Sequence, residues 1–200
     1  DVNLDLSALG DDIDSDDDGS TLTYLITGVP SEGSASTTGT TLSFSPGSDF
    51  QDLAVGETRD VMVTVEATDS HGASTSAVIT VTVTGTNDGP SMAAGVGAVD
   101  VGGPGALIDL SVLGDDVDSD DDGTTLTYSI VGSPSEGNAS ISGTSLIFDS
   151  GVDFGDLASG ETRDVDVTIQ ATDSHGATTT AVVTVTVTGT NSPPTMLDGA

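Results

Sequence analysis

One internal repeat constrains this chain more than any other feature. "DDIDSDDDGSTLTY" at Asp11–Tyr24 returns as "DDVDSDDDGTTLTY" at Asp115–Tyr128, and Arg59 and His71 return as Arg163 and His175, always 104 residues apart. The offset holds without a gap from Asp5 to Met92, with more than two thirds of positions identical. Solenoid turns repeat every ~20–50 residues, so a period of this length is one small domain per copy. The chain therefore reads as two tandem domains, 1–90 and 91–194, with 195–200 opening a third copy. The segment "SMAAGVGAVDVGGPG" (Ser91–Gly105) has almost no counterpart ahead of Asp1. The first domain is thus expected to lack its opening segment, and the chain to be a piece of a longer array.

Within each copy the hydrophobic period is two, not 3.6. Val61, Val63, Val65 and Ala67 fall on one face of "RDVMVTVEAT", and Ile79, Val81 and Val83 stand opposite Thr80, Thr82 and Thr84. β-Branched residues alternating with threonine describe half-buried antiparallel strands. Turn signals such as "GVPSEG", "TTGT", "TDSHGA" and "GTNDGP" punctuate them, and nothing supports a helix longer than a turn near "DFQDLA". The expected fold is all-β: two tandem sandwiches of about seven strands each, with Greek-key connections. Tyr24, Phe44, Phe50 and their repeats Tyr128, Phe148, Phe154 are the only aromatics. They sit in strand register or at an anchoring loop, which makes them core. The absence of Trp argues against a sugar-stacking platform.

Charge narrows the partners. The chain carries 33 Asp and Glu against two arginines, Arg59 and Arg163, for a net charge of −31. Ion pairs within the protein cannot neutralise that. Nucleic acid and anionic membranes both call for basic patches, so neither is an expected partner. Cysteine and lysine are absent, which removes disulfides, thiolate chemistry and lysine crosslinks. No apolar run approaches the ~18 residues of a membrane span.

Six of the eight residues from Asp11 to Asp18 are aspartates. Carboxylates at that density repel unless a cation sits among them. "Asp14-Ser-Asp16-Asp-Asp18-Gly19" opens like an EF-hand loop, but the twelfth position, where a bidentate Glu closes the cage, holds Leu25 and, in the second copy, Ser129. The EF-hand reading fails. Closely spaced Asp oxygens still suit calcium, and there is neither Cys nor clustered His for zinc. The remaining ligands must come from elsewhere in the fold.

Phe50–Pro90, "FQDLAVGETRDVMVTVEATDSHGASTSAVITVTVTGTNDGP", resembles the second half of a VCBS-type, bacterial cadherin-like repeat, and Phe154–Pro194 matches it with small changes. Such repeats occur in tandem in very large secreted adhesins, including those with RTX export regions. The resemblance implies a cadherin- or immunoglobulin-like sandwich, an extracellular place on the bacterial cell surface, and Ca2+ ions held between successive domains. Carried over, the first domain offers Glu57, the linker Asn87 and Asp88, and the second domain Asp116, Asp118 and Asp173. Asp12, Asp14 and Asp69 are the equivalent cluster of the first domain. The second linker has Ser192 where the first has Asp88, which weakens a site at that end.

Each residue also has a plainer use. Asn87–Pro90 can be only a turn, Asp69 and Asp173 can cap the "DSHG" turns, Glu57 and Glu161 can pair with the arginines at strand ends, and His71 and His175 fit turn positions. An enzyme needs convergent groups of differing character, whereas almost every carboxylate here appears twice at equivalent positions. The expected function is a calcium-stiffened spacer, monomeric, whose partners are neighbouring repeats of the same chain. The alternatives are a homophilic or polysaccharide-binding module and, with no specific site, acidic hydration of a halophilic surface.

Overall fold

A computed structural model describes residues 1–194 and Met196. The segment 195–200, read as the start of a third copy, lies outside the described residues except for Met196. Two compact units divide the chain, Asp1–Thr86 and Asn87–Ala200. Asn87–Pro90, grouped with the first copy in the sequence reading, thus fall in the second unit.

The first unit has six strands: β1 (Val2–Asp5), β2 (Thr23–Gly28), β3 (Ser34–Thr38), β4 (Thr41–Ser45), β5 (Thr58–Thr68) and β6 (Ser74–Thr84). One sheet runs β1-β4-β3 and the other β2-β5-β6, all antiparallel. The chain changes sheet between β1 and β2, again before β3, and again before β5. The period-two pattern sets which side chains enter the core: Val61, Val63 and Val65 are buried, while Met62 is 64% exposed. The two-residue turn between β3 and β4 uses Gly39 at φ +58°, a left-handed conformation that such hairpins demand. Around Phe50–Ala54 the chain closes a turn, Leu53 N donating to the Phe50 carbonyl at 3.2 Å. Among the described residues the only helical element is a 3-10 turn at Leu6–Ala8, capped by the Asp5 carboxylate. Among the described residues no helix is long and apolar enough to cross a membrane.

The second unit adds strands to this plan. It contains β7 (Ser91–Met92), β8 (Gly95–Asp100), β9 (Ala106–Asp109), β10 (Gly114–Asp115), β11 (Thr127–Gly132), β12 (Asn138–Ser142), β13 (Ser145–Asp149), β14 (Thr162–Thr172) and β15 (Thr178–Thr188). β9 and β11–β15 repeat β1–β6. β8 extends the larger sheet to β11-β14-β15-β8, lying parallel to β15 with Gly95 opposite Val183 and Asp100 opposite Thr188. β7 pairs with β10. The extra strand changes the packing. Val183, Val185 and Val187 are wholly buried and join a single core cluster. Their counterparts Ile79, Val81 and Val83 are only partly buried, and the first unit's core falls into two clusters.

Both arginines anchor a loop to the core in the same way. Arg59 bonds Glu32 at 2.9 Å and Asp52 at 2.6 Å, with its guanidinium 5.8 Å from the Phe50 ring centre. Arg163 repeats this with Glu136, Asp156 and Phe154. Phe44–Phe50 and Phe148–Phe154 meet edge to face, the arrangement favoured by the ring quadrupole. The aromatics are core, as their strand register suggests.

Candidate metal centre

The acidic loop is built on its sheet from below. In the second unit Tyr128 Oη, buried, donates to the Gly123 carbonyl at 2.8 Å, and Tyr24 does the same to Gly19 at 2.8 Å. Gly123 lies so close to the Ser111 and Gly114 carbonyls that a Cβ there would collide with both. Asp122 turns the chain, its Oδ1 accepting from the Thr124 amide at 2.7 Å and hydroxyl at 2.6 Å. Asp18 does so with Ser20. Short Asp side chains that bond backbone two residues on favour such turns. Several carboxylates of the EF-hand-like run are therefore occupied in shaping the loop.

Asp121 ties this loop to the "DSHG" turn. Its Oδ2 accepts from the Ser174 amide at 3.0 Å and the Ser174 hydroxyl at 2.6 Å, and its Oδ1 from Thr125 Oγ1 at 3.0 Å. Burial pushes the Asp121 carboxyl up, but these donors outweigh it and hold the group below its ordinary value. In the first unit Asp17 makes the same bonds with Ser70, whose hydroxyl is the main cause of its lowered pKa. The sequence reading did not single out Asp17 or Asp121. The Ser partner lies 53 residues away, and nothing local marks one aspartate of the run as the buried one.

Beside that tie, the second unit gathers five of the predicted ligands. Asp88 N donates to Asp118 Oδ2 at 2.8 Å, and Asn87 Nδ2 donates to Asp173 Oδ2 at 3.0 Å. Asp118 N donates to Asp116 Oδ1 at 3.1 Å. Asp173 serves two purposes: its Oδ1 caps the turn, accepting from the His175 and Ala177 amides, while Oδ2 faces Asn87. Asp118 is 3% exposed and Asp173 6%. Two oxygens here, Asp116 Oδ2 and Asp118 Oδ1, are buried with no hydrogen-bond partner. Burial, reinforced by the Asp116, Asp88 and Asp120 carboxylates and opposed by the Asp88 amide, raises the Asp118 carboxyl above its ordinary value. A buried carboxylate lacking donors is costly. Oxygen donors converging on buried, unpartnered lone pairs could hold a hard cation.

The first unit's counterparts are more open. Asp12 and Asp69 line one depression, and Asp14, exposed, donates its amide to Asp12 Oδ1 at 2.9 Å. Asp69 Oδ1 caps its turn through the His71 and Ala73 amides. Glu57 belongs to the first unit, where its Oε2 accepts from the Ala54 amide at 3.1 Å. The described residues also bring Asp120, Asp121 and His175 together, and likewise Asp16, Asp17 and His71. Both imidazoles sit in the turns, Nδ1 3.1 Å from the preceding Ser hydroxyl.

Two sheets sharing a core in each unit, with an acidic loop tied to the "DSHG" turn in both, define a tandem cadherin- or Ig-like β-sandwich repeat. A family model described as bacterial Ig domain matches residues 1–82 and again 87–186, and the chain belongs to that family. No curated protein sequence matches the chain. Among solved structures it is similar to human CDH23 EC21-23, with TM-score 0.51, 14% identity, and 86% of this chain covering 59% of that one. Mouse cadherin-23 EC22-24 gives TM-score 0.50 at 17% identity over 85% of this chain and 53% of that one. Protocadherin gamma B2 extracellular cadherin domains 1-5 gives 0.50 at 16%, over 87% and 34%. The chain thus spans between a third and three fifths of these structures, and the likeness is one of fold.

Proposed function

We propose that this chain is a calcium-binding extender segment of a large extracellular bacterial adhesin, of the VCBS-repeat, RTX-exported kind, that holds terminal binding modules away from the cell. The observation that carries the reading is Asp118: buried, its Oδ1 unpartnered, beside a second orphaned oxygen on Asp116 and within one hydrogen-bonded group with Asn87, Asp88 and Asp173. The donor set is all oxygen, apart from the Asn87 amide nitrogen. It suits calcium, which takes six to eight oxygens in flexible geometry, better than magnesium, which demands a tight octahedron and sheds water reluctantly. Calcium also fits the setting, because extracellular modules bind it at roughly 10⁻⁴–10⁻³ M. Each ion cancels two of the carboxylate charges that otherwise oppose close packing of repeats.

The test is thermal melting of the whole chain in calcium, magnesium and matched sodium chloride. Binding to the folded state alone stabilises by about 2.7 kcal/mol at a hundredfold excess over Kd. Calcium should raise the midpoint well above magnesium, and equal midpoints in all three would sink the metal reading. Glu57→Gln should weaken the calcium response if the ion is shared with the preceding repeat, and leave it intact if the second unit holds the ion alone. For the extender role, small-angle scattering should narrow in calcium at constant monomer mass. A calcium-dependent gain in mass would make the chain a homophilic binding module instead.

A further inference from the structure

We propose that the second unit carries a docking groove for a cationic polypeptide: the open edges of β8 and β9 take an extended segment of another protein whose outward positions read basic-x-aliphatic-x-basic. β8 ends its sheet beyond β15, and β9 ends its sheet beyond β13, so each strand has one side outside the sheet's bonding. Gly95–Ala98 of β8 and Ala106–Asp109 of β9 line one groove of about 390 Å³, within the roughly 300–1,000 Å³ of ligand clefts. Strand addition to such an edge draws affinity from backbone bonds and selectivity from alternate side chains.

Differences between the two copies single out this surface. Leu107, Val112 and Ile147 stand where the first copy has Asn3, Ala8 and Ser43. In the first unit Ser43 Oγ donates to Asn3 Oδ1 at 2.7 Å, a polar pair that satisfies itself. In the second unit the same two places, opposite each other in register, hold Leu107 and Ile147. Leu107 is 71% exposed, Val112 77% and Val96, on β8, 84%, and all three line the groove. On the larger sheet the change runs the other way, Leu25 and Met62 giving way to Ser129 and Asp166. The second unit thus gathers its exposed aliphatic side chains at this edge, and clustered apolar exposure with a polar rim marks an interaction site.

The rim sets the occupant's charge. Asp109 lies two residues beyond Leu107 on β9, and Asp149 two beyond Ile147 on β13, both exposed. Because these strands are antiparallel, the two carboxylates flank the Leu107–Ile147 pair from opposite ends. Asp149 replaces Ser45 of the first copy. Local amides hold both acids in place, Ser111 N donating to Asp109 Oδ1 and Gly151 N to Asp149 Oδ1. Alternate side chains of a strand share a face. A segment with an aliphatic residue beside Leu107 therefore sets its second neighbours toward these two acids, where Lys or Arg is matched. The residues between turn toward Val96 and Val112 and call for aliphatic side chains. A second copy cannot supply this pattern. It has no lysine, both its arginines are already paired with two carboxylates each, and its charge of −31 opposes approach.

The experiment titrates the end-blocked peptide Thr-Lys-Val-Val-Val-Lys-Thr into the whole chain at low ionic strength, in chelator so that calcium plays no part, and follows methyl NMR signals. Those of Val96, Leu107 and Val112 should shift and saturate at one peptide per chain, while Val55 and Val78, exposed in the first unit, stay unchanged. The triple variant Leu107→Asn, Val112→Ala, Ile147→Ser carries the first copy's residues, which that unit's fold accepts, and should weaken binding by roughly tenfold or more. Asp149→Ser alone, also a first-copy residue, should weaken binding and flatten its dependence on salt. A peptide with glutamate in place of both lysines should not bind. No shift at millimolar peptide, equal binding of the glutamate peptide, or undiminished binding by the triple variant overturns the proposal. So does peptide-free association of the chain that shifts the same methyl signals, which would assign the groove to a second copy.

Discussion

Asp118 concentrates the energetic question in one side chain. Without metal its buried Oδ1 lacks a donor, and leaving such an acceptor unsatisfied costs on the order of 1–3 kcal/mol. Asp118→Asn removes the charge yet can still accept the Asp88 amide. We expect the metal-free midpoint of the variant to hold or rise, by about 1 kcal/mol in stability, while the calcium increment disappears. Melting curves with and without calcium check this, and a variant that loses stability but keeps the increment contradicts it. Asp121 behaves oppositely with pH. Its carboxyl is held low by the Ser174 donors against the effect of burial, so its stabilisation is complete above the ordinary carboxylate pKa and is lost as pH falls through the depressed folded value. Ser174→Ala should move that titration up toward the ordinary value and shift acid unfolding to higher pH. Carboxyl NMR titration of Asp121 reads it directly.

At the scale of elements, β6 and β15 share a sequence pattern and differ in company. Val185 is fully buried under β8, whereas Val81 lies on a sheet edge and stays partly open. Truncation of a buried aliphatic side chain costs a transfer and a cavity contribution, and an edge site can relax. Val185→Ala should therefore cost about 2 kcal/mol and Val81→Ala roughly half of that. The same asymmetry predicts that the first unit, with its divided core, unfolds at lower denaturant than the second. Urea titration followed by resolved methyl signals of each unit tests both statements. Equal costs would mean that β8 adds little beyond its hydrogen bonds.

For the whole molecule, a net charge of −31 governs solubility and association more than fold. Sodium chloride screens such a surface gradually, with a Debye length near 10 Å at 0.1 M, and should stabilise weakly and without saturation. Calcium acting at a defined centre should saturate at far lower concentration. Light scattering should return monomer mass in both conditions, because like-charged copies repel. A calcium effect that merely tracked ionic strength would favour acidic hydration over a site.

The sequence alone determined the class of this protein. A 104-residue repeat with period-two alternation leaves few options other than tandem sandwiches, because Val and Thr alternating over turns can bury only one face of a strand. The dense aspartates that suggested a hard cation were visible in the sequence, and the choice of Asn87, Asp88, Asp116, Asp118 and Asp173 as candidate ligands came from resemblance to a known repeat. What the tertiary structure alone decided is which aspartates are spent on shape and which are left unsatisfied. Asp121 and Asp118 sit three residues apart in one acidic run, yet one meets Ser174 from across the fold and the other meets only the Asp88 amide. That division depends on contacts 53 and 30 residues distant, which no local pattern encodes.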